Sequence, residues 1–179
     1  MHSDLESVLF TEQAISERVK ELGVVLTAAY QDKNPLFICV LKGAVLFMVD
    51  LVKRVEIPLE MDFMAISSYG DSSKSSGVVR ILKDLDRSVE GRHIVIIEDI
   101  VDTGLTLNYL RDVLVRRGAA SVKIAALFDK PDGRSVDIHP DYYGFTVPNQ
   151  FIVGYGLDYA EKYRNLPYVG VLKREVYVR

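Results

Sequence analysis

This sequence has little that suits a disulfide framework or a metal site built from cysteine and histidine. It contains 179 residues, with one cysteine and three histidines. Cys39 has no partner for an internal disulfide, and its place in the apolar run LFICV predicts a buried structural thiol. His2, His93 and His139 are far apart in the sequence and show no metal-ligand spacing.

Signals for a membrane, for secretion and for nucleic-acid binding are also missing. No uninterrupted apolar run approaches the roughly 20 residues of a membrane span. The N-terminal MHSDLESVLF lacks the basic start and apolar stretch of a secretory signal. The net charge of −3 disfavours a nucleic-acid partner, which usually meets a basic surface. We therefore expect a soluble cytoplasmic protein.

What the sequence does contain is an alternation of apolar runs and amphipathic segments, which is typical of an α/β fold. Predicted strands cover 35–41, 59–68, 93–99 and 121–130. Predicted helices cover about 11–30, 44–55 and 106–118. Because the strands are apolar at nearly every position, we predict a central, mostly parallel sheet flanked by helices. With neither a repeat nor a long linker, residues 1–179 are interpreted as one domain whose segment from about 136 to 179 forms a small hood.

The segment SSYGDSSKSSG at 67–77 interrupts this pattern, because it is rich in Ser and Gly and almost free of apolar residues. Two interpretations remain open, a flexible surface loop and a mobile lid over a binding site. The following VVRIL, at 78–82, predicts a strand that returns as the second arm of a hairpin.

Polar residues follow four of the predicted strands. They are Lys42-Gly43, Ser67-Ser68-Tyr69, Glu98-Asp99 and Lys130. Ligands of an open parallel sheet bind beyond the carboxyl ends of its strands. These residues together therefore predict one cleft of mixed charge.

The stretch HIVIIEDIVDTGLT at 93–106 is the most specific feature of this edge. Gly104 allows a tight turn, and the N–H groups of the helix start, with the hydroxyls of Thr103 and Thr106, can hold one phosphate. The pattern is neither a Walker motif nor a dinucleotide fingerprint.

Three carboxylates beside an anion site need a separate explanation. Glu98 and Asp99 should point to opposite faces of the strand, and carboxylates accept hydrogen bonds from sugar hydroxyls or bind Mg²⁺. A sugar phosphate would satisfy both ends of the site. The alternative interpretation is that Asp102 caps the helix within a solvated acidic loop.

VIIEDIVDTG, closed by Thr, resembles the signature of the type I phosphoribosyltransferase family. Further segments resemble its hypoxanthine (hypoxanthine-guanine) members from bacteria and follow in the family's order: LKGA at 41–44, SSYG at 67–70, ILKDLD at 81–86, LFDKP at 127–131 and FIVGYGLDYAEKYRNLPYVG at 151–170. The resemblance implies the family's α/β fold with a hood. It also implies Mg²⁺-dependent transfer of the phosphoribosyl group from phosphoribosyl pyrophosphate (PRPP) to hypoxanthine or guanine, giving IMP or GMP and pyrophosphate, in a homodimer or homotetramer.

The same resemblance implies roles for individual residues. Binding of PRPP falls to Lys42, Gly43, Ser68, Tyr69, Glu98, Asp99, Asp102, Thr103, Gly104, Leu105, Thr106 and Arg164. Asp102 would also act as general acid/base at the purine N7. Purine binding falls to Lys130, Phe151, Ile152 and Asp158, and metal binding to Glu98, Asp99 and Asp158. Leu105 departs from the family's pattern, which often has Lys or another polar residue there.

Two alternatives remain at the level of sequence. A non-catalytic regulator could use the same fold to sense PRPP while binding nucleic acid, but the acidic net charge disfavours it. A xanthine-guanine or adenine enzyme is the alternative within the family, and Lys130 disfavours adenine. The choice between hypoxanthine and guanine stays open.

Overall fold

A computed structural model describes residues 1–69 and 78–178. In these ranges the strands are β1 (Leu5–Phe10), β2 (Leu36–Leu41), β3 (Glu60–Tyr69), β4 (Val78–Lys83), β5 (His93–Val101), β6 (Ser121–Asp129), β7 (Tyr142–Thr146), β8 (Ile152–Val153) and β9 (Val169–Leu172). The helices are α1 (Glu12–Ala29), α2 (Val45–Val52), α3 (Leu105–Arg116) and the short α4 (Arg174–Tyr177). None of the described helices is long and apolar enough to cross a membrane.

The main sheet has six strands in the order β4-β3-β2-β5-β6-β7. All neighbours are parallel except β3 and β4, which form the predicted antiparallel pair. The α/β prediction with a mostly parallel sheet is therefore confirmed. The β3–β4 pairing continues as far as Tyr69 and Val78, and residues 70–77 of the predicted lid lie outside the described residues.

Alternate residues of β5 are buried on opposite faces of this sheet. Val95 and Ile97 pack with α1 and α2, whereas Ile94 and Ile96 pack with α3. Thr11 caps α1 by accepting a hydrogen bond from the Ala14 N–H at 3.2 Å. Helix α1 matches its prediction within a residue at each end, whereas α2 ends at Val52 and is shorter than expected.

The hood is a second sheet, with the order β1-β9-β8. Two of its strands come from the C-terminal segment, as predicted, but the third is β1, which was not predicted. The predicted boundary at 136 is also wrong, because β7 pairs in parallel with β6 and belongs to the main sheet. The hood thus begins after β7 and depends on the N-terminus.

Candidate active site

The carboxyl ends of the parallel strands gather most of the predicted site residues. One cavity of about 270 Å³ is lined by Asp99, Ile100, Asp102, Lys130, Gln150, Phe151, Ile152, Leu157 and Asp158. A smaller one of about 140 Å³ is lined by Glu98, Ile100, Val101, Asp102, Thr103, Gly104, Thr106 and Leu107. Asp102 borders both. We call them the larger and the smaller cavity.

The smaller cavity lies against the start of α3. Gly104 has φ of 80° and precedes the helix, and a Cβ there would lie 2.3 Å from Ile138 Cγ2. Glycine is therefore required both by the left-handed backbone and by the packing. The first N–H groups of a helix have no intrahelical partners, so they can bind an anion here.

Leu105 is the first residue of α3, and it does not line either cavity. Among the described residues, the hydrogen-bond partner of its N–H is Thr103 Oγ1, at the long distance of 3.4 Å. Its backbone thus belongs to the turn at the start of α3, while nothing in the structure explains why a leucine side chain stands at this position.

Glu98 and Asp99 face different parts of the cleft, as the alternation along β5 predicts. Glu98 lies on the face of the sheet that packs against α3, and it lines the smaller cavity, whereas Asp99 lines the larger one. Glu98 Oε2 is buried without a hydrogen-bond partner among the described residues. Burial, and then the nearby charge of Asp99, raises the pKa of Glu98 well above its usual value.

Asp99 is enclosed by two other segments. A Cβ on Gly43 would lie 1.7 Å from Asp99 Oδ2, and a Cβ on Gly156 would lie 2.0 Å from the Gly43 carbonyl oxygen. Burial raises the pKa of Asp99 to about 6, although its hydrogen bond from the Ile100 N–H, 2.7 Å long, acts in the opposite direction. The two glycines therefore bring the β2 loop and the hood together beside the half-buried carboxyl group of Asp99.

Lys130 and Asp102 form an ion pair, and both residues line the larger cavity. Lys130 Nζ lies 3.3 Å from Asp102 Oδ2, and the lysine side chain is 15% exposed. The turn Pro131–Gly133 follows Lys130, and a Cβ on Gly133 would lie 1.8 Å from Asp102 Oδ1. A cation, a carboxylate and a cavity are thus adjacent, which suits recognition of a polar heterocycle.

Phe151 is 38% exposed at this cavity. Its ring stacks on Tyr177 with centroids 4.8 Å apart and an interplanar angle of 22°. Tyr177 does not line the cavity, so we place it behind the phenylalanine. The adjoining Ile152 is 8% exposed and pairs with Val171 in the hood.

The remaining predicted residues are Lys42, Arg164, Ser68 and Tyr69. Lys42 follows β2 after a cis Leu41–Lys42 peptide bond, and its side chain is 68% exposed. Arg164 Nη2 lies 2.9 Å from Asp158 Oδ1, and Arg164 Nη1 donates to the Gly156 carbonyl at 2.7 Å. Ser68 and Tyr69 end β3, and their side chains are outside the described part of the chain.

Sequence reasoning missed several residues of the site. They are Gln150 and Leu157 in the larger cavity, Gly133 and Gly156 in close packing, Tyr177 behind Phe151, and Glu161, whose Oε2 lies 2.9 Å from Lys42 Nζ. Each acts through contacts across the fold. No spacing or periodicity in the sequence could have identified them.

Comparison with known proteins agrees with this geometry. A family model described as phosphoribosyl transferase domain matches residues 8–160. The chain belongs to the phosphoribosyltransferase family. Similar phosphoribosyltransferases include the hypoxanthine-guanine phosphoribosyltransferases of Bacillus subtilis, 61% identical, and Streptococcus thermophilus, 59% identical. Both alignments cover 99% of this chain and 98% of the relative.

A phosphoribosyltransferase has also been solved with nearly the same structure. A crystal structure of a hypoxanthine phosphoribosyltransferase from Staphylococcus aureus has a TM-score of 0.97 and 49% identity to this chain. The match covers 100% of this chain and 97% of that one. It confirms the predicted type I phosphoribosyltransferase fold.

Proposed function

We propose that this phosphoribosyltransferase transfers the 5-phosphoribosyl group of PRPP to a 6-oxopurine, hypoxanthine or guanine. The products are IMP or GMP and pyrophosphate, so the chain serves purine salvage. The observation that carries this proposal is the pair of adjoining cavities. One has a lysine, an aspartate and an aromatic ring, and the other has a helix N-terminus, with Asp102 on the border.

The purine would bind in the larger cavity. Lys130, which is only 15% exposed, would donate a hydrogen bond to the O6 oxygen. The adenine amino group offers no acceptor in that place, so adenine should bind poorly. The Phe151 ring would stack on the base, and the backbone of Ile152 would contact its other edge.

The phosphoribosyl group would lie between the two cavities. The start of α3, with Thr103 and Thr106, would hold the 5′-phosphate. Glu98 would accept a hydrogen bond from a ribose hydroxyl, and this role would supply a partner for its buried Oε2. Asp102 would hold or return the proton at purine N7, because it borders both the base and the sugar.

The donor set also fits Mg²⁺. The described residues contain no group of three or more His, Cys, Asp or Glu side chains that could hold a metal. Mg²⁺ commonly uses one or two carboxylates, with waters and substrate phosphates completing its shell. Glu98 and Asp99, and separately Asp158, would supply those carboxylates. When bound, Mg²⁺ would offset negative charge on the pyrophosphate.

Lys42, Gly43 and Arg164 would bind the pyrophosphate. Bond breaking at the anomeric carbon makes the ribose more positive and the pyrophosphate more negative, so fixed cations favour the transition state. Gly43 would admit the ligand close to the backbone. Ser68 and Tyr69, with the lid predicted at 67–77, would exclude water as a competing nucleophile.

Substitution of Asp102 tests the assignment of the acid/base group. Asp102→Asn keeps the shape of the side chain but cannot accept the proton, so transfer should slow by about a hundredfold or more. Asp112→Asn, which changes an exposed carboxylate of α3, is the matched control and should leave the rate unchanged. Formation of IMP from hypoxanthine and PRPP is the measurement. A wild-type rate in Asp102→Asn would remove Asp102 from the mechanism.

A homodimer or homotetramer is part of the same proposal. Leu46 and Val49 of α2 are 38% and 49% exposed, which suits a helix that contacts a second copy. Sedimentation equilibrium should give a mass of at least two chains, and Val49→Glu should lower it. A monomer at all concentrations would contradict this part of the proposal.

A further inference from the structure

We propose that Glu161 competes with pyrophosphate for its binding site and so promotes release of that product. The inference rests on the proposed function, because it assumes that Lys42 and Arg164 bind pyrophosphate. Glu161 itself has no role in the proposed transfer reaction.

The contacts of Glu161 are those of a bridging anion. Its Oε2 lies 2.9 Å from Lys42 Nζ, and its Oε1 lies 3.3 Å from Arg164 Nη2. Each carboxylate oxygen therefore meets a different cation. Lys42 follows β2 in the main sheet and Arg164 belongs to the hood, so this one side chain connects the two halves of the proposed pyrophosphate site.

The backbone holds Glu161 in this place. Ala160, Glu161 and Tyr163 have φ values of 51°, 62° and 78°, in the left-handed region that non-glycine residues seldom adopt. The Glu161 N–H donates to Asp158 Oδ2 at 2.9 Å. Three such residues in one turn carry a conformational cost, and costs of this kind concentrate at ligand-binding segments.

The contacts of Glu161 with Lys42 and Arg164 are weak enough for a more highly charged anion to replace the carboxylate. The side chains of Lys42 and Glu161 are 68% and 65% exposed, and an ion pair this exposed contributes little free energy. Arg164 keeps its contacts to Asp158 and to the Gly156 carbonyl when Glu161 leaves. Arg164 thus keeps its position when the carboxylate moves away.

A competing carboxylate has a clear effect on affinity. Every pyrophosphate that binds must first separate Glu161 from its two partners, so the observed affinity is lower than the cations alone would give. Two weak pairs correspond to a loss on the order of threefold to tenfold. The same loss applies to departing product, which therefore leaves more readily.

Glu161→Gln tests this directly, because it keeps the size of the side chain and removes its charge. Calorimetric titration with pyrophosphate in Mg²⁺ buffer should show threefold to tenfold tighter binding by the variant, and pyrophosphate should become a stronger product inhibitor by a similar factor. Glu6→Gln, an exposed carboxylate of β1 in the hood, is the control for net charge and should bind like wild type.

A second variant separates competition from a general change in charge. In a Lys42→Met background, Glu161→Gln should improve binding by a smaller factor, because one of the two displaced pairs is already absent. Equal or weaker binding of pyrophosphate by Glu161→Gln would overturn the inference while the proposed function stands. A wild-type chain that neither binds pyrophosphate nor makes nucleotide would overturn both.

Discussion

Replacing Asp99 by Asn should make the ligand-free chain more stable at neutral pH, although it removes a proposed site residue. Burial raises the pKa of Asp99 from 3.8 to about 6. The folded chain therefore holds this proton more tightly than the unfolded chain does. Ionisation of Asp99 opposes folding, and this penalty is absent below about pH 3.8, grows as the pH rises, and is complete above about pH 6.

The size of the effect follows from the shift. A difference of about two pKa units amounts to about 3 kcal/mol at pH 7.5, and to about half of that at pH 5. Asn should avoid the penalty, because its oxygen can still accept the hydrogen bond from the Ile100 N–H. The free energy of unfolding of Asp99→Asn should exceed that of wild type by up to this amount.

Urea unfolding at pH 7.5 and pH 5, without Mg²⁺ or PRPP, measures the difference. Glu6→Gln serves as a control, since it removes an exposed carboxylate and should change little at either pH. If Asp99→Asn is no more stable than wild type at pH 7.5, ionisation of Asp99 does not oppose folding. A gain in stability that is the same at both pH values would also contradict this role of ionisation.

Three further substitutions address the pyrophosphate and purine sites. Gly43→Ala would place a Cβ 1.7 Å from Asp99 Oδ2, so the loop must shift and the KM for PRPP should rise at least tenfold, about 1.4 kcal/mol. Lys130→Ala should weaken the purine by about tenfold to a hundredfold and PRPP far less, because it removes a charged hydrogen bond. Tyr177→Ala should raise the purine KM about threefold to tenfold, because the Phe151 ring loses its stacking partner.

Each of these has a control or an internal comparison in steady-state kinetics. For Gly43→Ala the internal comparison is the KM for the purine, which should change little. An equal rise in the KM for PRPP and the KM for the purine would argue against a local effect. The control for Lys130→Ala is Lys20→Ala, which changes an exposed lysine of α1 and should behave like wild type. Equal losses of affinity for purine and PRPP in Lys130→Ala would refute recognition of O6 by Lys130. Tyr143→Ala changes a tyrosine that is 42% exposed, and it should match wild type where Tyr177→Ala does not.

Much of the architecture could be predicted because it depends on local pattern. The apolar runs predicted four of the five strands with parallel neighbours, β2, β3, β5 and β6, but not β7. The alternation along β5 placed Glu98 and Asp99 on different faces of the sheet, and Gly104 marked the turn before α3. Anion binding by the start of α3 stays a prediction. These features depend on residues within one element or at its end.

The remainder depends on contacts between residues far apart in the chain. The pairing of β1 with β9 joins the two ends of the chain, and the bridge between Lys42 and Glu161 spans 119 positions. The packing of Gly156 on Gly43 likewise joins the hood to the β2 loop. No periodicity records such contacts, so a single sequence could not reveal them.

The most direct test of the central claim is a steady-state panel of purines with PRPP and Mg²⁺. The account predicts IMP from hypoxanthine or GMP from guanine, each with one pyrophosphate released, and negligible AMP from adenine. Absence of nucleotide from both 6-oxopurines, or formation of AMP at a comparable rate, would contradict it.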